Sequence, residues 1–165
     1  MNEFDDIRPY NDCEVPAVIA RIIADSELID LMLGDLFSGS CQLFYPWLRP
    51  LLKARLRYLA RNIDTVDVLQ QHLAIRLKSI LNRTTDGYSF SGLADLKKNK
   101  SYVFMSNHRD IALDPAIIIL GLVESGRDSL RIAIGDNLLS KPFASDLMRI
   151  NRSFIVKRSI VGKRE

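Results

Sequence analysis

The chain has 165 residues, of which 47% are hydrophobic and 26% charged, which allows a globular core and excludes a disordered chain. Its formal net charge of +3 is too small to indicate a partner by itself. Two histidines and two scattered cysteines, Cys13 and Cys41, are too few for a transition-metal site, so no metal is expected. So sparse a cysteine pair points to reduced thiols in a cytoplasmic setting rather than to a disulfide scaffold. The acidic start Met-Asn-Glu-Phe-Asp-Asp is the opposite of a signal peptide's basic one. No uncharged apolar run approaches the roughly 18 residues of a membrane span, so membrane contact is expected to be peripheral.

The first half reads as three helices. The first is predicted over 16–36, opened by Pro16 and left at Gly34 or Gly39, with Val18, Ile22, Ile29 and Leu33 as its buried stripe. The second starts at Pro46 or Pro50 and runs to residue 62. Its Trp47, Leu48, Leu51, Leu52, Leu56 and Leu59 are predicted on one side, and Arg49, Lys53, Arg57 and Arg61 on the other. An aromatic cluster with a basic face has the composition of an interfacial helix drawn to anionic lipid. The same pattern also fits a helix whose apolar stripe faces the core and whose basic side is in water. The third helix spans 65–83, capped by Asp64 or Thr65, with Val66, Leu69, Leu73, Leu77, Ile80 and Leu81 repeating every three to four residues.

The second half changes period. Residues 102–105 form a short apolar run rich in strand formers, followed by the polar Ser106, Asn107 and His108. Asp114 and Pro115 then supply a cap and a first-turn proline for a helix over 116–124, stopped by Gly126. A second strand is predicted over 130–134, a helix over 138–150 broken near Pro142, and a third strand over 153–156. That βαβαβ order implies an α/β fold: a mainly parallel sheet with right-handed crossovers, behind an N-terminal helical region. The division expected is a helical region at 1–90 and an α/β domain at 91–165. The sequence stops a few residues past the third strand, so the sheet is expected to be incomplete.

In an open α/β sheet, ligands bind beyond the carboxyl ends of the strands. Residues 106–115 fall there and combine an imidazole, two carboxylates and a helix start. A histidine is the side chain most easily made a base near neutral pH, and a carboxylate on its far nitrogen would orient it. The stretch also reads as a plain polar loop with Asp114 as a helix cap, and pattern alone leaves both open.

Asn107-His108 followed by Asp114-Pro115 resembles the first motif of the phospholipid/glycerol acyltransferases, which pair a His with a nearby Asp. Arg152-Ser-Phe-Ile-Val-Lys157-Arg158 is similar to their second motif, Gly-x-Ile-Phe-Ile-x-Arg, with Arg152 in place of the Gly. The family usually leaves four residues between His and Asp; here there are five. Asp114 is the expected partner because its Asp-Pro pair aligns, with Asp110 as the fallback. No segment like the family's third, Glu-Gly-Thr-Arg motif is found, which suggests an N-terminal part of such an enzyme.

The resemblance implies a glycerolipid-acyltransferase type of fold and an O-acyltransferase of phospholipid synthesis or remodelling. His108 would be the general base, Asp114 its orienting carboxylate, and Arg158 the ligand of the acceptor phosphate, assisted by Lys157 and Arg152. Trp47, Arg49, Lys53 and Arg57 would touch the membrane, placing the protein in the cytoplasm on the inner membrane face. No bound cofactor is implied; acyl-CoA or acyl carrier protein is the co-substrate. The alternative is a non-catalytic, membrane-associated remnant.

Other classes fit less well. His108-Arg109-Asp110 is like a kinase catalytic loop, but that loop needs an Asn where Pro115 stands, and no glycine-rich phosphate loop precedes it. The C-terminal basic cluster lacks interleaved aromatics and matches no nucleic-acid module, so no nucleic-acid partner is expected.

Overall fold

The structure is a computed structural model and describes residues 4–37, 42–97, 99–106, 110 and 113–158. It divides into two compact units: Met1–Val68 with Ala133–Glu165, and Leu69–Ile132.

In the first unit, α1 (Val15–Ala24) and α2 (Ser26–Phe37) replace the single helix predicted over 16–36. Asp25 causes the break. Its backbone turns extended at ψ 123°, and its Oδ1 accepts the N–H groups of Glu27 at 2.9 Å and Leu28 at 3.0 Å. A carboxylate there satisfies donors that a new helix start would leave open. The stripe itself is as predicted, since Val18, Ile22, Ile29 and Leu33 are all buried.

Helix α3 (Tyr45–Ala60) brings Tyr45, Leu48, Leu52 and Leu56 against Ile29 and Leu33 of α2. Burying side chains of this kind contributes about 1.5–3 kcal/mol each. Strands β1 (Ile132–Gly135) and β2 (Ser153–Val156) form a two-stranded parallel sheet, joined through α6 (Pro142–Ile150). The helix predicted over 138–150 is broken ahead of Pro142, as expected, since Pro142 is tolerated in a first turn.

The N-terminal residues close this unit from 125 to 148 positions away in sequence. Ile155 of β2 donates its N–H to the Ile7 carbonyl at 2.9 Å, and Tyr10 donates its N–H to the Arg149 carbonyl at 3.2 Å. The Tyr10 hydroxyl donates to Asp146 Oδ1 at 2.6 Å, and Arg21 grips the same carboxylate through Nε at 2.6 Å and a second nitrogen at 2.8 Å. The Arg149 guanidinium lies 4.2 Å from the centre of the Tyr10 ring and donates to the carbonyls of Arg8 and Asp5. Burial pushes the Asp146 carboxyl up, but the hydrogen bonds from Arg21 and Tyr10 outweigh it and hold the group below its usual value. Burial and the Asp146 bond together raise the Tyr10 hydroxyl.

The second unit takes most of α4 (Val66–Thr84) and all of α5 (Leu113–Glu124). Thr65 is the cap of α4, its hydroxyl accepting the Val68 N–H at 3.3 Å. Gln70 bonds Ser129 at 2.8 Å, and Lys78 pairs with Glu124 at 2.7 Å. Gly121 of α5 faces the Phe90 ring, whose atoms would lie 2.8–2.9 Å from a Cβ at that position.

The strand predicted over 102–105 does not form. Val103 and Met105 are 92% and 93% exposed and Tyr102 and Phe104 are exposed too, so neither face is buried, and no ladder partner is present among the described residues. A four-residue strand needs both cross-strand pairing and a covered face. The α/β class stands, with two described strands in place of three.

Candidate active site

The loop 106–115 carries the predicted base and its carboxylates. Asn107, His108 and Arg109 lie outside the described residues, as do Ile111 and Ala112. Around them, α5 begins earlier than predicted, at Leu113, so Asp114 sits inside the first turn and Asp110 lies just ahead of the helix. Asp110 Oδ1 accepts the Leu113 N–H at 2.7 Å. Asp114 Oδ2 reaches back to accept the Asp110 N–H at 3.1 Å. Each carboxylate therefore satisfies a backbone donor at the helix start, where the positive end of the helix also favours negative charge. Asp110 is exposed and Asp114 half-buried. Both carboxylates are thus engaged at the start of α5, Asp110 before it and Asp114 within its first turn.

In the first unit, the predicted phosphate ligands lie at the two ends of β2. Arg158 follows the carboxyl end and donates its backbone N–H to Asp136 Oδ1 at 3.2 Å. Its guanidinium lies against Gly135, the last residue of β1: a Cβ built there would be 2.8 Å from Nε and 3.2 Å from Cζ. Arg158 thus sits across the carboxyl edge of the parallel sheet, where open α/β folds take ligands. Lys157, its neighbour, turns away and pairs with Asp6; that hydrogen bond holds the Asp6 carboxyl below its usual value.

Arg152 is at the opposite, amino end of β2 and pairs with Asp67. Its φ of 59° is left-handed, a conformation glycine adopts without cost. That backbone accounts for the Gly in the motif this stretch resembles. The structure does not bring Arg152 beside Arg158, because a four-residue strand of about 13 Å stands between them.

The basic face predicted on α3 is divided. Arg49 forms a two-pronged pair with Asp30 of α2 at 2.6–2.7 Å, and Lys53 donates to the Ala24 carbonyl at the end of α1 at 2.7 Å. Both cations therefore serve the packing of α3 on its neighbours. Trp47 is 78% exposed, and Phe44, Leu51 and Tyr58 lie outward with it. Arg57 is exposed, and Arg61 stacks 4.4 Å from the centre of the Tyr58 ring. The predicted single apolar side is really two, one packed and one facing out.

Sequence reasoning named Arg158 but neither Gly135 nor Asp136. The signal was present, since Gly-Asp-Asn after Ile132-Ala-Ile marks the end of a strand. What it lacked was any sign that this end meets a residue 23 positions later. Among the described residues, no group of three or more His, Cys, Asp or Glu could hold a metal ion. No described helix is long and apolar enough to cross a membrane.

The sequence of residues 88–165 matches the family model described as Acyltransferase, a stretch that contains both the 106–115 loop and β2 with Arg158. No curated protein and no solved structure matches the chain.

Proposed function

Because residues 88–165 belong to the Acyltransferase family, we propose that the chain transfers a fatty acyl group from a thioester to the hydroxyl of a phosphorylated glycerol-type acceptor. The observation that carries the finer reading is Arg158 at the carboxyl edge of the sheet, an arginine suited to a phosphate by its planar, two-pronged fork.

In this reading His108 takes the proton from the acceptor hydroxyl, and the oxygen attacks the thioester carbonyl. The tetrahedral species then expels the thiolate, which recovers the proton from the imidazolium. One C–O bond is formed in the first step and one C–S bond broken in the second, so the products are an ester and a free thiol. No acyl-enzyme is required. Asp114 orients the imidazole; Asp110, whose carboxylate accepts the Leu113 N–H, is the alternative partner. Arg158 holds the acceptor phosphate, and Lys157 and Arg152 add positive potential.

The acyl donor is acyl-CoA or acyl carrier protein, and the setting is phospholipid synthesis or remodelling on the cytoplasmic face of a membrane. Contact with that surface falls to the outward face of α3, Trp47 with Phe44 and Leu51, flanked by Arg57. Arg49 and Lys53 contribute there only through charge, being tied to Asp30 and Ala24. Co-sedimentation with anionic vesicles should weaken for Trp47→Ala; equal binding would remove the helix from this account.

The reading is tested by following thiol release from acyl-CoA with glycerol 3-phosphate or glycerol as acceptor. Release should depend on the phosphorylated acceptor, and Arg158→Ala should raise its KM tenfold or more while leaving the KM for acyl-CoA in place. Release that ignores the phosphate would remove the phosphate role of Arg158, and no release at all favours a non-catalytic, membrane-associated protein.

A further inference from the structure

Gly135 has an ordinary extended backbone, with φ −68° and ψ 138°, open to any residue. Its lack of a side chain is therefore not a demand of the chain's conformation. What an added side chain would meet is the ends of two other side chains, which would have to shift. Gly135 is buried, and an added Cβ would stand 2.5 Å from Asn137 Oδ1 and 2.8 Å from Arg158 Nε. The guanidinium occupies the volume that a side chain on the last residue of β1 would fill.

The same strand end holds Arg158 a second way, through its backbone N–H on Asp136 Oδ1. An arginine just beyond a strand end would otherwise sample many rotamers, and fixing such a side chain costs conformational freedom. Two anchors from one turn reduce what a ligand must still immobilise. Lys157, only one residue earlier, has no such seat and turns to Asp6.

We propose that Gly135 is a positioning residue, whose missing side chain seats the Arg158 guanidinium across the end of the sheet to receive the phosphomonoester of the acceptor. The inference rests on the phosphate role given to Arg158 above and adds what sets its direction. Gly135 itself touches no substrate.

The test is calorimetric titration of the full chain with glycerol 3-phosphate, with glycerol as the control. The proteins are the parent, Gly135→Ala, Arg158→Ala and the double variant. Arg158→Ala should weaken binding tenfold or more, and Gly135→Ala should weaken it by a comparable factor. The double variant should bind no more weakly than Arg158→Ala, because a misdirected arginine and an absent one are the same loss.

A Gly135→Ala protein that binds like the parent, beside an Arg158→Ala protein that does not, overturns the positioning role alone. Two losses that multiply in the double variant overturn it as well. If Arg158→Ala binds like the parent, or the parent distinguishes glycerol 3-phosphate from glycerol by nothing, the phosphate reading falls and the inference with it. Should Gly135→Ala fail to fold, Gly135→Ala/Asn137→Ala takes its place against Asn137→Ala. Removing the nearest colliding atom leaves only the arginine in the way.

Discussion

Each of the two compact units is held together internally by a different kind of contact. In the first, residues 4–21 bond to residues 146–157, through Tyr10, Arg21, Asp146 and Arg149 and through Ile7 on β2. In the second, the cited bonds join elements between Gln70 and Ser129, and an apolar run at 102–105 lies open. Contacts that span the chain are expensive to form but fix the ends of a sheet in place. The cited contacts of the second unit span 46 and 59 positions. The arginine read as a phosphate ligand follows the tightly closed sheet, and the loop read as carrying the base belongs to the other unit.

The sharpest way to break that contrast is Asp146→Asn. It keeps the shape and removes the charge that Arg21 and Tyr10 grip. A loss of about 2 kcal/mol is expected, kept below the value for a fully buried pair because Arg21 is half exposed. Hydrogen exchange should quicken in α1 and α6 and stay unchanged in α5. The pH dependence follows from the sign. The folded Asp146 carboxyl lies below its usual value, so its stabilisation is fully present above about pH 4 and disappears as pH falls through the depressed value. The gap between parent and variant in denaturant melts should therefore close on acidification below about pH 4. A gap that widens there would reverse the assignment.

Gly121→Ala probes the other unit. A methyl group there meets the Phe90 ring, an overpacking cost of about 1–3 kcal/mol against a helix-propensity gain of about 1 kcal/mol. A net loss of about 1 kcal/mol, read as faster exchange in α4 and α5 but not in α1 or α6, would sharpen the division into units. Faster exchange throughout would erase it.

Arg152→Gly should do least. Relief of a left-handed backbone offsets the loss of an exposed pair with Asp67 and the extra freedom of glycine in the unfolded chain. A change in stability within about 0.5 kcal/mol is expected. A large loss would mean that Arg152 supports the first unit beyond its surface pair.

What the sequence shows and what it hides divide along the same line. Periodicity found α3, α4 and β2 because each is decided by its own residues, and Pro142 marked its own helix start. The stripe Val18, Ile22, Ile29 and Leu33 hid the break at Asp25, because the apolar phase carries straight across it. Residues 102–105 have strand propensity, but pairing is a property of neighbours, and propensity is silent about those. Arg49 and Lys53 read as a solvent-facing basic row, since nothing in the helix itself reveals Asp30 or the Ala24 carbonyl. At the site, the resemblance pointed to Arg158, whereas Gly135 and Asp136 became visible only when two strand ends met.

The central claim is acyl transfer assisted by His108, and one assay tests it most directly. Coenzyme A release from acyl-CoA, with glycerol 3-phosphate present, is compared between the parent and His108→Ala at matched folding. The account predicts a fall of about 10²–10⁴-fold with the melt unchanged. A His108→Ala protein that releases coenzyme A as fast as the parent would contradict it.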